Sequence, residues 1–187
     1  AAFVAPNGPE PCAAWPSGYQ WFPLPEEGIS PATFNRAVAA QHPKALLSDF
    51  IDEQLQKWGV DDSALAVGGF SQGAMMAMYA MPRRKKACAA VIGYSGLLVD
   101  AEGLKASGIV KPPVLAIHGA EDEIVIPQSL EGVKQGFSAA GFDVETVLRP
   151  DLGHSIEENG LMRGLYFLQK SFGIAGKNEE TKAKIKP

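Results

Sequence analysis

The sequence predicts an α/β fold, a mostly parallel sheet covered by helices on both faces. Three observations predict it. Runs at 65–70, 87–94 and 112–119 are almost wholly apolar, and 144–148 alternates, so each reads as a strand. The stretches between them place apolar residues at helical spacing. The first of the four runs ends in Gly69-Phe70-Ser71-Gln72-Gly73, which turns straight into an Ala- and Met-rich stretch, a strand-to-helix junction.

The chain has 187 residues, enough for one domain with a sizeable core, here 1–187 with a polar tail at 177–187. Its composition, 46% apolar and 20% charged, is that of a soluble globular protein. A formal net charge of −4 and a pI near 5.4 speak against nucleic acid or an anionic membrane surface as partner. No apolar run reaches membrane-spanning length. Two cysteines, Cys12 and Cys88, are too few for a disulfide framework, and neither has the CxxC spacing of a metal site. Cys88 opens an apolar run and reads as a buried small side chain. The expected location is cytoplasmic; a targeting segment would lie upstream of Ala1.

Taken in order, 1–5 is a short apolar, strand-like run stopped by Pro6-Asn7-Gly8-Pro9. Residues 6–25 form a Pro-rich loop with Trp15, Tyr19, Trp21 and Phe22; a loop of that length suits the lining of a pocket, although aromatics also pack loops down. Residues 31–41 look weakly helical. Pro43 suits the first turn of a helix to Trp58, with Leu47, Phe50, Ile51, Leu55 and Trp58 on one face and Gly59 as its stop. Asp61-Asp62-Ser63 is a turn into the strand 65–70. The helix after Ser71 carries Met75, Met76, Met78 and Met81, which read as core filler, with Met75 and Met76 near enough to Ser71 to meet a substrate. Pro82-Arg83-Arg84-Lys85-Lys86 ends that helix and reads as a solvated basic surface. The strands 87–94 and 112–119, a helix at 127–140, the strand 144–148 and a last helix at 155–172 follow, the last with Ile156, Leu161, Leu165, Phe167 and Leu168 as its apolar set.

The pattern G-x-S-x-G at 69–73 has a physical rationale. A serine in a tight strand-to-helix turn sits in a strained backbone conformation with its hydroxyl lifted above the sheet, and side chains two residues either side would collide. Ser71 then stands at a helix N-terminus, where the Gln72 N–H is free to meet a developing negative charge. An ordinary strand-to-helix turn can also carry a small residue there, so the partners decide. In a parallel sheet the site lies at the carboxyl ends of the strands. Asp122 follows the run 112–119, and His154 follows 144–148. A serine hydroxyl needs a base that titrates near neutrality, and the imidazole needs a carboxylate on its other nitrogen. The chain order Ser71, Asp122, His154 is that of the α/β-hydrolase arrangement. Of the other histidines, His42 reads as exposed beside a helix start and His118, which precedes the acid, as a packed loop histidine; Glu121 and Glu123 compete with Asp122, and Asp151 is a more distant candidate.

The elbow Gly68-Gly69-Phe70-Ser71-Gln72-Gly73, the spaced His118-Gly119, Asp122, Val125 and Pro127, and Gly153-His154 together resemble the phospholipase/carboxylesterase family of α/β-hydrolases, which includes acyl-protein thioesterases. Phe3-Val4-Ala5-Pro6 and Trp21-Phe22 are similar to it as well, so that the resemblance spans residues 1–172. It implies hydrolysis of small acyl esters or thioesters without a cofactor or metal. It also implies Ser71 as nucleophile, Asp122 as acid, His154 as base and Gln72 N–H as an oxyanion donor. Trp21, Phe22 and Met75 are the candidate substrate-binding residues.

The chain departs from the family in one respect. The family begins with further strands, the last leading into a His-Gly loop that supplies a second oxyanion N–H, and no such loop precedes the elbow here. The absent strand would lie between 1–6 and 65–70, in the middle of the sheet, leaving backbone groups unpaired. The expectation is an N-terminally incomplete domain, completed by a missing segment or by a second copy in a homodimer, and poorly stable and nearly inactive by itself. The alternative to a hydrolase is a non-catalytic binding or interaction module on the same scaffold, which would bind ligand without turnover.

Overall fold

The computed structural model describes residues 1–12, 17–23 and 43–174. Four strands, β3 (Ala66–Phe70), β4 (Ala90–Tyr94), β5 (Val114–Gly119) and β6 (Val144–Arg149), form one parallel sheet in the order β3-β4-β5-β6. A two-residue antiparallel pair, β1 (Glu10–Pro11) and β2 (Tyr19–Gln20), stands apart from it. The strand register runs Gly69 to Gly93 and Gly93 to Ala116, which brings the carboxyl ends of β3, β4 and β5 level.

The helices are α1 (Pro43–Trp58), α2 (Gln72–Ala80), α3 (Gln128–Ala139) and α4 (Glu158–Ser171). The first three share one core with the sheet: Leu47, Ile51, Met76, Met78, Val91, Val133 and Phe137 meet in it. On the opposite face, α4 presents Phe167 to Ala90, Ile92, Leu115 and Ile117. This is the two-sided layer that near-continuous apolar strands require. The strand β5 is buried at every position, whereas β3 is half-buried or exposed throughout.

Several sequence expectations are corrected. The run at 1–5 forms no strand, and Phe3 and Val4 are exposed, because an extended apolar run is a strand only when another strand pairs with it. The basic run 83–86 is only partly a solvated surface. Arg84 is buried, reaching Asp62 and Asp52 at 2.8 Å, and Arg83 reaches Asp100 at 2.7 Å; Lys85 and Lys86 stay exposed. Acids from other segments meet the two arginines, which makes their burial tolerable. In α4, Leu161 and Leu165 are exposed and Gly160 and Gly164 face the sheet instead, so close that a Cβ on Gly164 would meet the Tyr94 hydroxyl. The methionines of α2 are core, as their stripe predicts. The expected helix at 31–41, Trp15, His42 and the tail 177–187 lie outside the described residues.

The outer edge of β3 has no strand beside it among the described residues. Along that edge runs an apolar groove of about 540 Å³. Ala1, Ala2 and Val4 to Pro6 form one wall; Phe50, Leu55 and Trp58 of α1, Val67 of β3 and Met76 of α2 are among the rest. The predicted apolar face of α1 is therefore only half covered: Leu47 and Ile51 are buried, but Trp58 is exposed in the groove.

Candidate active site

The strand β3 passes into α2 through a single residue, Ser71, whose backbone is at φ 52 and ψ −117. A non-glycine residue there carries strain of about 1–3 kcal/mol, which persists only where the surroundings impose it. Two restraints do so here. The Ser71 N–H donates to Tyr94 O at 2.9 Å, extending the ladder with β4, and Ser71 O accepts from Met75 N–H at 3.1 Å as the first bond of α2. Gly69 is required because a Cβ there would strike the backbone of Gly73 and Ala74. The expected clash at Gly73 does not occur: a Cβ would meet nothing within 4 Å, since this glycine faces the open edge of β3. The Ser71 side chain makes no capping bond to its own helix. The Gln72 N–H is the first of α2 and has no partner within the helix.

Asp122 and His154, the candidate acid and base, arise on the loops after β5 and β6, which are laced together. The Ala120 N–H donates to Arg149 O at 2.8 Å, and Glu121 N–H to Leu152 O at 2.9 Å. Gly119 admits the crossing, because a Cβ would overlap the carbonyls of Leu152 and Gly153. Beyond them, Arg149 pairs with Glu157 at 2.6 Å, and Glu157 caps α4. Of the three competing acids Asp122 is buried, and Glu121 and Glu123 are exposed. Asp151 is exposed, in a left-handed turn three residues before His154.

His154 Nδ1 lies 2.8 Å from Asp122 Oδ2 and 3.1 Å from Oδ1. The carboxylate also accepts from Ile124 N–H at 3.0 Å and Val125 N–H at 2.8 Å. Burial pushes the Asp122 carboxyl upward, but the hydrogen bonds from His154, Val125 and Ile124 outweigh it and hold the pKa below the usual carboxylate value. Asp122 therefore stays ionised, and Nδ1 of His154 is committed to it, leaving Nε2 as the nitrogen that can move a proton. The Phe70 ring, one residue before Ser71, packs on the His154 imidazole with centroids 4.7 Å apart. That contact carries the base to the elbow. No hydrogen bond joins Ser71 Oγ to His154 among the described residues.

Two participants escaped the sequence reading. His118 is a packed histidine as expected, but it also holds the acid loop. Its Nε2 lies 2.7 Å from Val125 O, so Nε2 carries the proton and donates, and the same atom lies 3.3 Å from Asp122 Oδ2. Phe70 is the other: a variable position of the motif that turns out to support the base. Both contacts of His118 are to a neighbouring loop, and no spacing rule points to them.

A pocket of about 650 Å³ lies beside Ser71, walled by Tyr19, Trp21, Phe70 and Gln72 among others. Of the candidate substrate-binding residues, Trp21 lines it. Phe22 and Met75 do not: both are buried in the main core, Phe22 at 1% exposure, where their apolar surface is already covered. Cys88 is buried, and burial raises its thiol pKa to about 11, so it offers no competing nucleophile at neutral pH. No group of histidine, cysteine and carboxylate side chains suited to a metal ion occurs among the described residues.

A parallel sheet, a serine elbow after β3, and an acid and a base on the loops after β5 and β6 define the α/β-hydrolase class. The family model described as Phospholipase/Carboxylesterase matches residues 1–172, and the chain belongs to that family. The crystal structure of esterase PE8 superposes with a TM-score of 0.83 at 35% identity, covering 90% of this chain and 77% of that one. Esterase YpfH of Escherichia coli is 29% identical over 173 residues, 90% of this chain and 69% of the relative. Acyl-protein thioesterase 1 of Aspergillus fumigatus is 33% identical over 126 residues, 64% of this chain and 52% of the relative. The chain thus spans about half the length of that thioesterase. Its class is that of the serine hydrolases that act on esters or thioesters. No helix among the described residues is long and apolar enough to cross a membrane.

Proposed function

We propose that Ser71, His154 and Asp122 form the catalytic triad of an ester or thioester hydrolase that works through an acyl-enzyme. The observation that carries this reading is the pairing of a strained serine elbow with a buried, hydrogen-bonded carboxylate–imidazole pair that packs on the residue before the serine. Ser71 Oγ attacks the carbonyl carbon while His154 Nε2 takes its proton. The oxyanion meets the Gln72 N–H. As the carbon–oxygen or carbon–sulfur bond breaks, His154 returns the proton to the leaving alcohol or thiol. Water then attacks the acyl-serine with His154 again as base, releasing the carboxylic acid and restoring Ser71. Trp21 gives the pocket an apolar wall, which suits a small acyl group. The two free cysteines fit a reducing, cytoplasmic setting.

The same reading includes a further strand of the protein on the outer edge of β3. The unpaired edge, the apolar groove and the additional length of the matched relatives support it. A loop leaving that strand would bring the second oxyanion donor, whose loss costs ~10²–10³ in rate. A p-nitrophenyl ester tests the chemistry: the full-length protein should release a burst of about one equivalent of p-nitrophenol, absent in Ser71→Ala. Ligand binding that survives Ser71→Ala, with no turnover by the unaltered protein, would instead make this a binding module. Sedimentation separates the two ways of completing the sheet, because a longer monomer favours the added strand and an obligate dimer of the 187-residue chain contradicts it.

A further inference from the structure

Gln72 is tied to a distant loop through both ends of its side chain. Its Oε1 accepts from Trp21 N–H at 3.0 Å, and its Nε2 donates to Phe22 O at 3.0 Å. A backbone N–H can only donate and a carbonyl can only accept, so the carboxamide fits one way round. The pair of bonds imitates a strand pairing between the elbow and the Trp21–Phe22 segment. On that segment Gly8 also comes close: a Cβ on Gly8 would strike the Gln20 carbonyl and the Trp21 nitrogen. Below it, the Phe22 side chain is anchored in the core. Trp21 is half-buried: it packs on the core and lines both the pocket beside Ser71 and the groove along β3.

The structure assigns the Gln72 side chain the role of a specificity-determining positioning residue: it holds the Trp21 wall of the acyl pocket in register with the nucleophile. The inference rests on the ester or thioester reading above and deepens it. One residue thereby carries an oxyanion donor on its backbone and the acyl wall on its side chain. In this inference the Trp21 wall is met by a longer acyl chain and not by a short one, both starting from the Ser71 side of the pocket. Slack between Gln72 and Trp21 therefore weakens the binding of long chains more than that of short ones, because apolar discrimination depends on how closely the wall fits.

The test uses the full-length protein with p-nitrophenyl esters from acetyl to decanoyl, and the variants Gln72→Ala, Gln72→Glu and Trp21→Ala. The readout is the ratio of kcat/KM for decanoyl to that for acetyl. Gln72→Glu keeps the acceptor, loses the donor and sets a carboxylate against the Phe22 carbonyl. The ratio should fall about tenfold in Gln72→Ala and Gln72→Glu, mostly through KM for the long ester. Trp21→Ala leaves the elbow untouched and should lower the same ratio, which keeps the inference open to refutation should a Gln72 variant not fold. A ratio within twofold of the unaltered protein's in Trp21→Ala, or in a folded Gln72 variant, overturns it. If the unaltered protein hydrolyses none of the esters, the reading of the site as a hydrolase fails instead.

Discussion

At the β5–β6 side of the site the Asp122 carboxylate and the two loops are held by a web of hydrogen bonds. The Asp122 carboxylate takes bonds from two backbone N–H groups and from His154, the loops that carry acid and base are laced to each other, and β5 is buried along its whole length. At the β3 side Ser71 follows a strand that has one neighbour among the described residues, half exposed, over an apolar groove. The two regions share one sheet and one chemistry, but one is closed by its own chain and the other is open. Preorganised dipoles need a rigid, water-excluding surround. The acid–base pair has it, and the proposed oxyanion site has only its Gln72 half. On the proposed reading, the Asp122–His154 pair is held in place by its own chain, and the Gln72 N–H is the one oxyanion donor offered among the described residues.

The largest expected effect lies on the closed side. Asp122→Asn should lower kcat about 10⁴-fold, because an amide cannot hold the His154 tautomer or stabilise its cation. The same group sets a pH dependence. Its carboxyl titrates below the unfolded value of about 3.9, so the stability it contributes is present above that pH and is lost as the pH falls through the lower, folded value. Acid unfolding followed by circular dichroism should lose that component in Asp122→Asn.

Gly69→Ala comes next. The added methyl overlaps the backbone of Gly73 and Ala74, so the elbow must move and stability should fall by about 3 kcal/mol in a urea titration. A smaller loss is expected at His118, which locks the acid loop through Val125 O. His118→Ala should cost about tenfold in kcat and leave KM little changed, with partial recovery in His118→Gln, whose amide can still donate. Equal damage from both variants would reduce His118 to mere packing.

The smallest effect sharpens the contrast most. Gly73→Ala meets nothing in this chain and relieves a glycine in the first turn of α2, so thermal stability of the 187-residue chain should stay level or rise by up to ~1 kcal/mol. With a strand seated in the groove the same methyl would have a neighbour, and the substitution should become destabilising. An identical response in the longer protein would contradict the proposed strand.

Much of this was legible in the sequence, for reasons particular residues make plain. The apolar runs at 65–70, 87–94 and 112–119 needed a two-sided sheet, and the elbow needed its glycine at 69, both being local requirements. Strand ends brought Ser71, Asp122 and His154 forward as candidates but left Glu121, Glu123 and Asp151 in competition, and burial is what sets Asp122 apart. What stayed hidden depends on contacts between segments far apart in the chain. Arg84 reads as a surface charge until Asp52 and Asp62 meet it. Residues 1–5 read as a strand because apolar composition does not supply a pairing partner. Leu161 and Leu165 read as core until Gly160 and Gly164 bring α4 against Tyr94. Phe22 and Met75 have the chemistry of pocket residues, and only packing sends them to the core. The Gln72 clamp and the His118 lock use backbone groups as partners, which leave no trace in residue type.

In the proposed mechanism Ser71 is the nucleophile activated by the Asp122–His154 pair. Treating the full-length protein with a fluorophosphonate and mapping the adduct by peptide mass spectrometry tests that directly. One adduct is expected, on the peptide containing Ser71, formed much more slowly in His154→Ala and not at all in Ser71→Ala. An intact protein that takes no label, or a label that persists in Ser71→Ala, would contradict it.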